Sequence, residues 1–342
     1  MSTTDPSVQP LGARLSENEL WPKELVGGQE EAFARDIERL HRRKAEFVQV
    51  NCPACDCADT QPAFAKYGFT FEQCAQCRTI YMSPRPSPEV MADYYANSEN
   101  YAYFARHIFP ASEASRKEKM HKPRLERILD YCERFGVTRG TLLEVGPGFG
   151  TFGGIAKESG AFDRVLGIEP TPEMAAACRQ RGMEIIEKRV EDAAKDVSNA
   201  DVVVSFEVIE HLFEPRRFVQ DCGRLLPSGG LLVLTCPNGL GFDVAVLGAG
   251  SLAVDAEHVN LFNPASLRLL IEGCGFDVLQ VSTPGRLDAE LVRDAALKGQ
   301  VHLDPFLSRV LLEEWEQLGW PFQEFLAVNN LSSHMWLVAR KR

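Results

Sequence analysis

Four short apolar runs, Leu142–Val145, Val165–Ile168, Val202–Phe206 and Leu231–Thr235, are spaced along the second part of this chain by segments of helical periodicity. A run of four or five apolar residues without polar alternation marks a strand buried on both faces. Strands of that kind, each separated from the next by a helix, pair in parallel within one sheet. Two more strands are expected near Val278–Ser282 and His334–Ala339. Between these two, over about residues 285–332, lies a helical insertion carried by Leu307, Val310, Leu311, Trp315 and Leu318. The pattern predicts an α/β domain over residues 141–342, with helices covering both faces of the sheet.

The first 140 residues have a different texture. Residues 1–30 are polar and hold Pro6, Pro10, Pro22 and the Gly27–Gly28 pair, which reads as a flexible arm. Phe33, Ile37, Leu40 and Phe47 then recur at near-helical spacing. Residues 31–140 are expected to form this helix, a cysteine-rich module, and a tyrosine-rich segment (Tyr94, Tyr95, Tyr101, Tyr103) leading into a helix around 115–135. In the module, Cys52-x2-Cys55 and Cys74-x2-Cys77 match the two-knuckle zinc pattern. Four thiolates close a tetrahedral site, so the metal expected there is a structural Zn²⁺ and not a catalytic one. Cys57 lies close enough in sequence to stand in for Cys55, and spacing does not choose between them.

Charge narrows the range of partners. The chain carries 37 Lys and Arg against 48 Asp and Glu, a net of −11. Nucleic-acid binding needs a basic face to displace phosphate counterions. Between residues 50 and 80 only Lys66 and Arg78 are basic, against Asp56, Asp59 and Glu72, so the charge disfavours nucleic acid as a partner. The longest apolar stretch, Val244 to Val254, is too short for a membrane span, and the N-terminus lacks a secretory pattern. A cytoplasmic protein acting on a small molecule is expected.

The first strand runs into Glu144-Val145-Gly146-Pro147-Gly148-Phe149-Gly150 and then into a helix. Glycines admit a ligand close to the backbone, and a helix start presents free N–H groups. The spacing is G-x-G-x-G, without the third glycine of the dinucleotide fingerprint, where Thr151 stands. An acid two residues before the first glycine suits an ammonium group, which a pyrophosphate lacks. Glu169 ends the next strand, where a carboxylate can accept both hydroxyls of a ribose.

With LLEVGPGFG, GIEP, RVEDA, VVVSFEVIEHL and GRLLPSGGLLVLTCPNG in this order, the chain resembles the class I S-adenosylmethionine-dependent methyltransferases. The resemblance implies a Rossmann-like seven-stranded sheet and S-adenosylmethionine as cofactor. It would have Glu144 and the backbone of Gly146, Gly148 and Gly150 hold the methionine part, and Glu169 the ribose. Val190, Glu191 and Asp192 would flank the adenine, while Phe206 and Glu207 would close the pocket on the methyl side.

Methyl transfer from a sulfonium is an in-line displacement, so alignment contributes most and a base adds to it. His211, four residues after Glu207, and His258, in Glu257-His258-Val259-Asn260, both stand after strand ends; with Glu207 they are the catalytic candidates. The alternative for His211 is a packing role under the cofactor, and Glu210 reads as structural. Asn238 and Asp243 follow another strand end and can reach substrate or simply shape a turn. The order CPACD…CAQCRTIYMSPRPSPEVMADYY resembles methyltransferases of bacterial sugar and surface-polysaccharide pathways, whose zinc ribbon would cover the substrate side. That resemblance implies a sugar, sugar nucleotide or related hydroxylated acceptor. A phenol or quinone O-methyltransferase and a ribosomal-RNA methyltransferase are the competing readings. The helical insertion is open to use as a lid or a homodimer surface.

Overall fold

The computed structural model describes residues 13–193, 197 and 199–342, so the first twelve residues of the expected arm lie outside it. Seven strands form the central sheet: β1 (Thr141–Val145), β2 (Arg164–Ile168), β3 (Glu184–Ile186), β4 (Val202–Phe206), β5 (Leu231–Pro237), β6 (Phe276–Ser282) and β7 (His334–Lys341). Their spatial order is β6-β7-β5-β4-β1-β2-β3. β7 runs antiparallel to both neighbours, β5 and β6. The pairs among β1 to β5 are parallel. The α/β expectation therefore holds, with β3 as the one short strand that no apolar run announced.

Residues on these strands alternate between two cores. Leu143, Val203, Leu232, Leu234 and Leu337 feed one, while Leu142, Val202, Val204, Val233 and Val338 feed the other. Successive side chains of a strand point to opposite faces, and helices cover both faces here; hence the runs are apolar throughout. The chain leaves β1 towards β2 and β3 on one side and returns to β4 on the other. A cleft opens beyond the carboxyl ends of strands at such a reversal.

The cysteine module is a small antiparallel sheet of Thr60–Lys66, Phe69–Cys74 and Ile80–Met82. Its fourth strand, Asn260–Leu261, comes from the second half of the chain, Asn260 opposite Tyr81 and Leu261 opposite Ile80. Arg216 donates to the carbonyl of Ala54 at 2.8 Å, and Asn263 to that of Cys77 at 2.9 Å. These contacts fasten the module to the sheet domain.

Two expectations need correction. Residues 17–30 are not a loose arm: Glu17–Leu20 and the start of Lys23–Arg42 are helical, with Leu15 and Leu20 buried. Gly28 does not break the helix, because its missing side chain makes room for Tyr103, whose hydroxyl would lie 2.3 Å from a Cβ there. Helix propensity alone penalises glycine, and packing overrides it. Phe47 lies beyond that helix, in Phe47–Val48, paired antiparallel with Arg85–Pro86. The insertion forms the helices Asp288–Leu297 and Trp315–Val328 with shorter turns between them. Buried Asp288 ties it down, accepting from Gln323 Nε2 at 2.9 Å and from Ser332 Oγ at 2.6 Å.

Candidate functional site

The loop after β1 turns through three left-handed glycines, Gly146, Gly148 and Gly150, with φ of +74°, +54° and +73°. Only glycine adopts this conformation without strain, so the reversal from strand into the helix Thr151–Ser159 depends on all three. A Cβ on Gly146 would strike Val208 at 2.8 Å, whereas one on Gly148 would meet nothing within 4 Å. The middle of the loop therefore faces open space. Glu144 is buried beside it, its Oε2 without a hydrogen-bond partner. Burial pushes its carboxyl up to about 8. Glu169 is buried at the end of β2 and accepts from the Thr171 N–H at 2.9 Å; burial raises it too. Val190 is buried in the turn Val190–Ala193, with Glu191 partly exposed and Asp192 exposed. A buried carboxylate with one oxygen unpartnered, a bare glycine backbone and a strand-end acid together fit the amino-acid head and ribose of S-adenosylmethionine.

Phe206 packs inward against Phe152 and Trp336 with the Arg124 guanidinium 4.6 Å above its ring. Glu207 turns the other way, with a left-handed φ of +54°. Its Oε1 lies 2.8 Å from His334 Nε2 and 3.3 Å from Arg124. Burial pushes this carboxyl up, but His334 and Arg124 overcome that and hold it down at about 2.

Glu207 opens onto a cavity of about 690 Å³, lined also by Glu210, His211, Tyr101, Glu257, His258 and His334. Its upper wall comes from the N-terminal helices (Leu20, Trp21, Phe33) and from the start of the insertion (Pro284–Asp288). The structure thus brings all three catalytic candidates into one chamber, whose lining does not include the glycine loop. The His211 and His258 rings stand edge to face with centroids 4.7 Å apart. Nδ1 of His211 contacts the Glu257 carbonyl at 3.2 Å, and Nδ1 of His258 that of Ala253 at 2.9 Å. Burial beside His258 lowers His211 to about 3. Burial also works against a charged His258, yet Asp255, Glu210 and Glu257 raise it to about 9. Glu257 accepts hydrogen bonds from Tyr94 and Asn100. Burial and then Asp255 lift its carboxyl to about 7. Glu210 is fully buried and raised well above the usual carboxylate range, by burial first and Glu207 second.

Several contributors were not evident from local pattern. His334 and Arg124 reach Glu207 from 127 and 83 residues away. Asn260 accepts from Arg85 at 2.7 Å and donates to the Leu212 carbonyl at 2.7 Å, fixing the turn that carries His211. Asn260 shares the stretch of His258, but its partners are set by docking. Asp243 lines the cavity and accepts from Ser251 at 2.7 Å. Asn238 instead donates to the Ser332 carbonyl at 2.9 Å, a structural tie.

The four cysteines converge as well. Cys52 and Cys77 sulfurs lie 3.4 Å apart and Cys55 and Cys74 sulfurs 3.5 Å, all four within 4.8 Å of one another. Cys57 is not in the group; its thiol points to the Asp59 carbonyl. Spacing left Cys55 and Cys57 open, and the fold selects Cys55.

Residues 115–281 match the methyltransferase domain family. That match covers just under half of the chain. A probable S-adenosylmethionine-dependent methyltransferase of Mycolicibacterium smegmatis is 31% identical over 117 residues, 34% of this chain and 44% of that one. A ubiquinone biosynthesis O-methyltransferase of Xanthomonas oryzae pv. oryzae is 32% identical over 135 residues, 36% of this chain and 56% of that one. The chain thus spans about half the length of these curated relatives. Among solved structures, an S-adenosylmethionine-dependent methyltransferase from Clostridium acetobutylicum aligns with a TM-score of 0.46 and 9% identity, over 70% of this chain and 98% of that one. The matched region begins within the helical segment before β1 and ends in β6, so the cysteine-rich segment and the insertion lie outside it. No described helix is long and apolar enough to cross a membrane.

Proposed function

We propose that this protein methylates a hydroxylated small molecule, a sugar or sugar nucleotide. The observation that carries the reading is the chamber at the end of β4, lined by Glu207, Glu210, His211, Glu257, His258 and His334, with Val208, next to Glu207, packed on Gly146 of the glycine loop. S-adenosylmethionine, when bound, supplies an electrophilic methyl group. Glu144 pairs with its ammonium, and the N–H groups of the Gly146–Gly150 loop receive its carboxylate end. Glu169 takes the ribose diol, and Val190, Glu191 and Asp192 flank the adenine. Glu207, held ionised by His334 and Arg124, faces the methyl side of that chamber.

A polyol acceptor needs several hydrogen-bond partners and one group to receive a proton. The chamber offers carboxylates and imidazoles for both, with Tyr67, Tyr101 and Trp21 as flat surfaces for a sugar ring. His258 accepts the proton in this reading from its neutral form, which predominates above about pH 9, and His211 stands edge to face with it. The four cysteines hold a structural Zn²⁺ that keeps the module folded, and the module supports the strand Asn260–Leu261 next to His258.

The likeness to ubiquinone biosynthesis O-methyltransferases supports a second reading, a phenolic acceptor. Incubation with labelled S-adenosylmethionine and a panel of nucleotide sugars, free sugars, catechols and RNA separates these. Transfer to a sugar-class acceptor is expected, and transfer confined to catechols or RNA would overturn the sugar reading. His258→Ala should lower turnover roughly 10²- to 10⁴-fold while sparing cofactor affinity.

A further inference from the structure

One carboxylate in the chamber has no explanation in the scheme above. Glu210 is fully buried, and neither of its oxygens has a hydrogen-bond partner. An ionised carboxylate left so costs several kcal/mol unless a cation compensates it. Its Oε1 lies 3.9 Å from His211 Nε2. Donor atoms of Glu210, His211 and His258 all lie within 4.8 Å of one another.

We propose that Glu210, His211 and His258 form a second metal site, distinct from the four cysteines, that takes a divalent transition ion. Two imidazoles and one carboxylate are a borderline donor set, suited to zinc, iron(II) or manganese and poorly suited to magnesium or calcium. Tetrahedral ligands at about 2.0–2.2 Å from zinc stand about 3.3–3.6 Å from one another, so small side-chain rotations close the observed group. The outer contacts are those of a built site. Each imidazole has its Nδ1 on a main-chain carbonyl, Glu257 for His211 and Ala253 for His258, which fixes the rings and leaves Nε2 for a metal. Asn260 donates to the Ile209 carbonyl at 3.2 Å and to the Leu212 carbonyl at 2.7 Å, bracing the turn that bears Glu210 and His211. All three residues line the chamber, so an ion held there would be open to a ligand in it.

This deepens the proposed function: the ion binds oxygens of a polyol, and His258 acts as a ligand, not as the proton acceptor.

The test is equilibrium dialysis of the full chain, its four-cysteine site already filled, against zinc chloride, with metal counted by atomic spectrometry. One equivalent beyond that of the cysteine site is expected. Glu210→Gln and His211→Gln should each weaken this second uptake by at least about tenfold. Both variants should keep the first equivalent and the wild-type affinity for S-adenosylmethionine, which shows that they fold. No second equivalent at zinc well above the protein concentration, or a second uptake unchanged in both variants, would overturn the site. Zinc uptake needs no methyl acceptor, so a failed acceptor screen would count against the sugar reading and leave this result standing.

Discussion

If Glu144 meets the cofactor's ammonium, binding must be linked to a proton. Glu144 is buried with Oε2 unpartnered, and burial pushes its carboxyl up to about 8. At about pH 6 roughly 1% of such a group is ionised, and at about pH 7.5 roughly a quarter. The ligand's amino group, with a pKa of about 7.7–8.0, stays mostly protonated over this range. Affinity should therefore tighten roughly 15-fold between the two pH values, as the product of both ionised fractions. At about pH 6.5 nearly every Glu144 must lose its proton on binding, so close to one proton is released per cofactor. Titration calorimetry in two buffers of different ionisation enthalpy reads that proton directly. Glu144→Gln should remove both the proton release and most of the pH dependence. The sign for the free protein is consistent: a carboxyl raised in the fold favours folding most below its unfolded value of 4.5, and that contribution is lost as pH rises through about 8. Wild-type affinity that is flat over this range, with no proton released, would refute the ammonium pairing.

Three further outcomes are expected. Gly148→Val should abolish S-adenosylmethionine binding, because it forces a β-branched residue into a φ of +54° and fills the open space above the loop; calorimetry showing tight binding would place the cofactor elsewhere. Cys74→Ser should lose about one zinc per chain and lower the thermal stability of the module, whereas Cys57→Ser should do neither; the metal content of both variants decides it. Asn260→Ala should cost about 1–3 kcal/mol in urea unfolding, since it leaves buried Arg85 and the 209–212 carbonyls without their partner. Turnover should fall as well, through the displaced His211 turn.

Local pattern made much of this molecule legible. Strand runs buried on both faces, a G-x-G-x-G turn between strand and helix, and two C-x2-C knuckles each carry their signal within a few residues. Backbone periodicity and conformational need act at that range. The same reasoning placed Glu144, Glu169, His211 and His258 at strand ends without knowing their neighbours. It failed where a contact depends on docking. At Gly28 the N-terminal helix makes room for Tyr103, and no propensity records that.

The sequence by itself determined the sheet, the glycine turn and the metal-binding spacing, because each is a short-range constraint on one stretch of chain. Only the tertiary structure decided that Asn260–Leu261 would complete the cysteine module's sheet and that His334 and Arg124 would close on Glu207. It also decided that Glu210, read from the chain as structural, would be sealed beside two imidazoles. The contacts of the cysteine module's sheet and of Glu207 join residues from 83 to about 180 positions apart. Long-range pairing is set by which faces bury together, and that is a property of the assembled core and not of any segment in it.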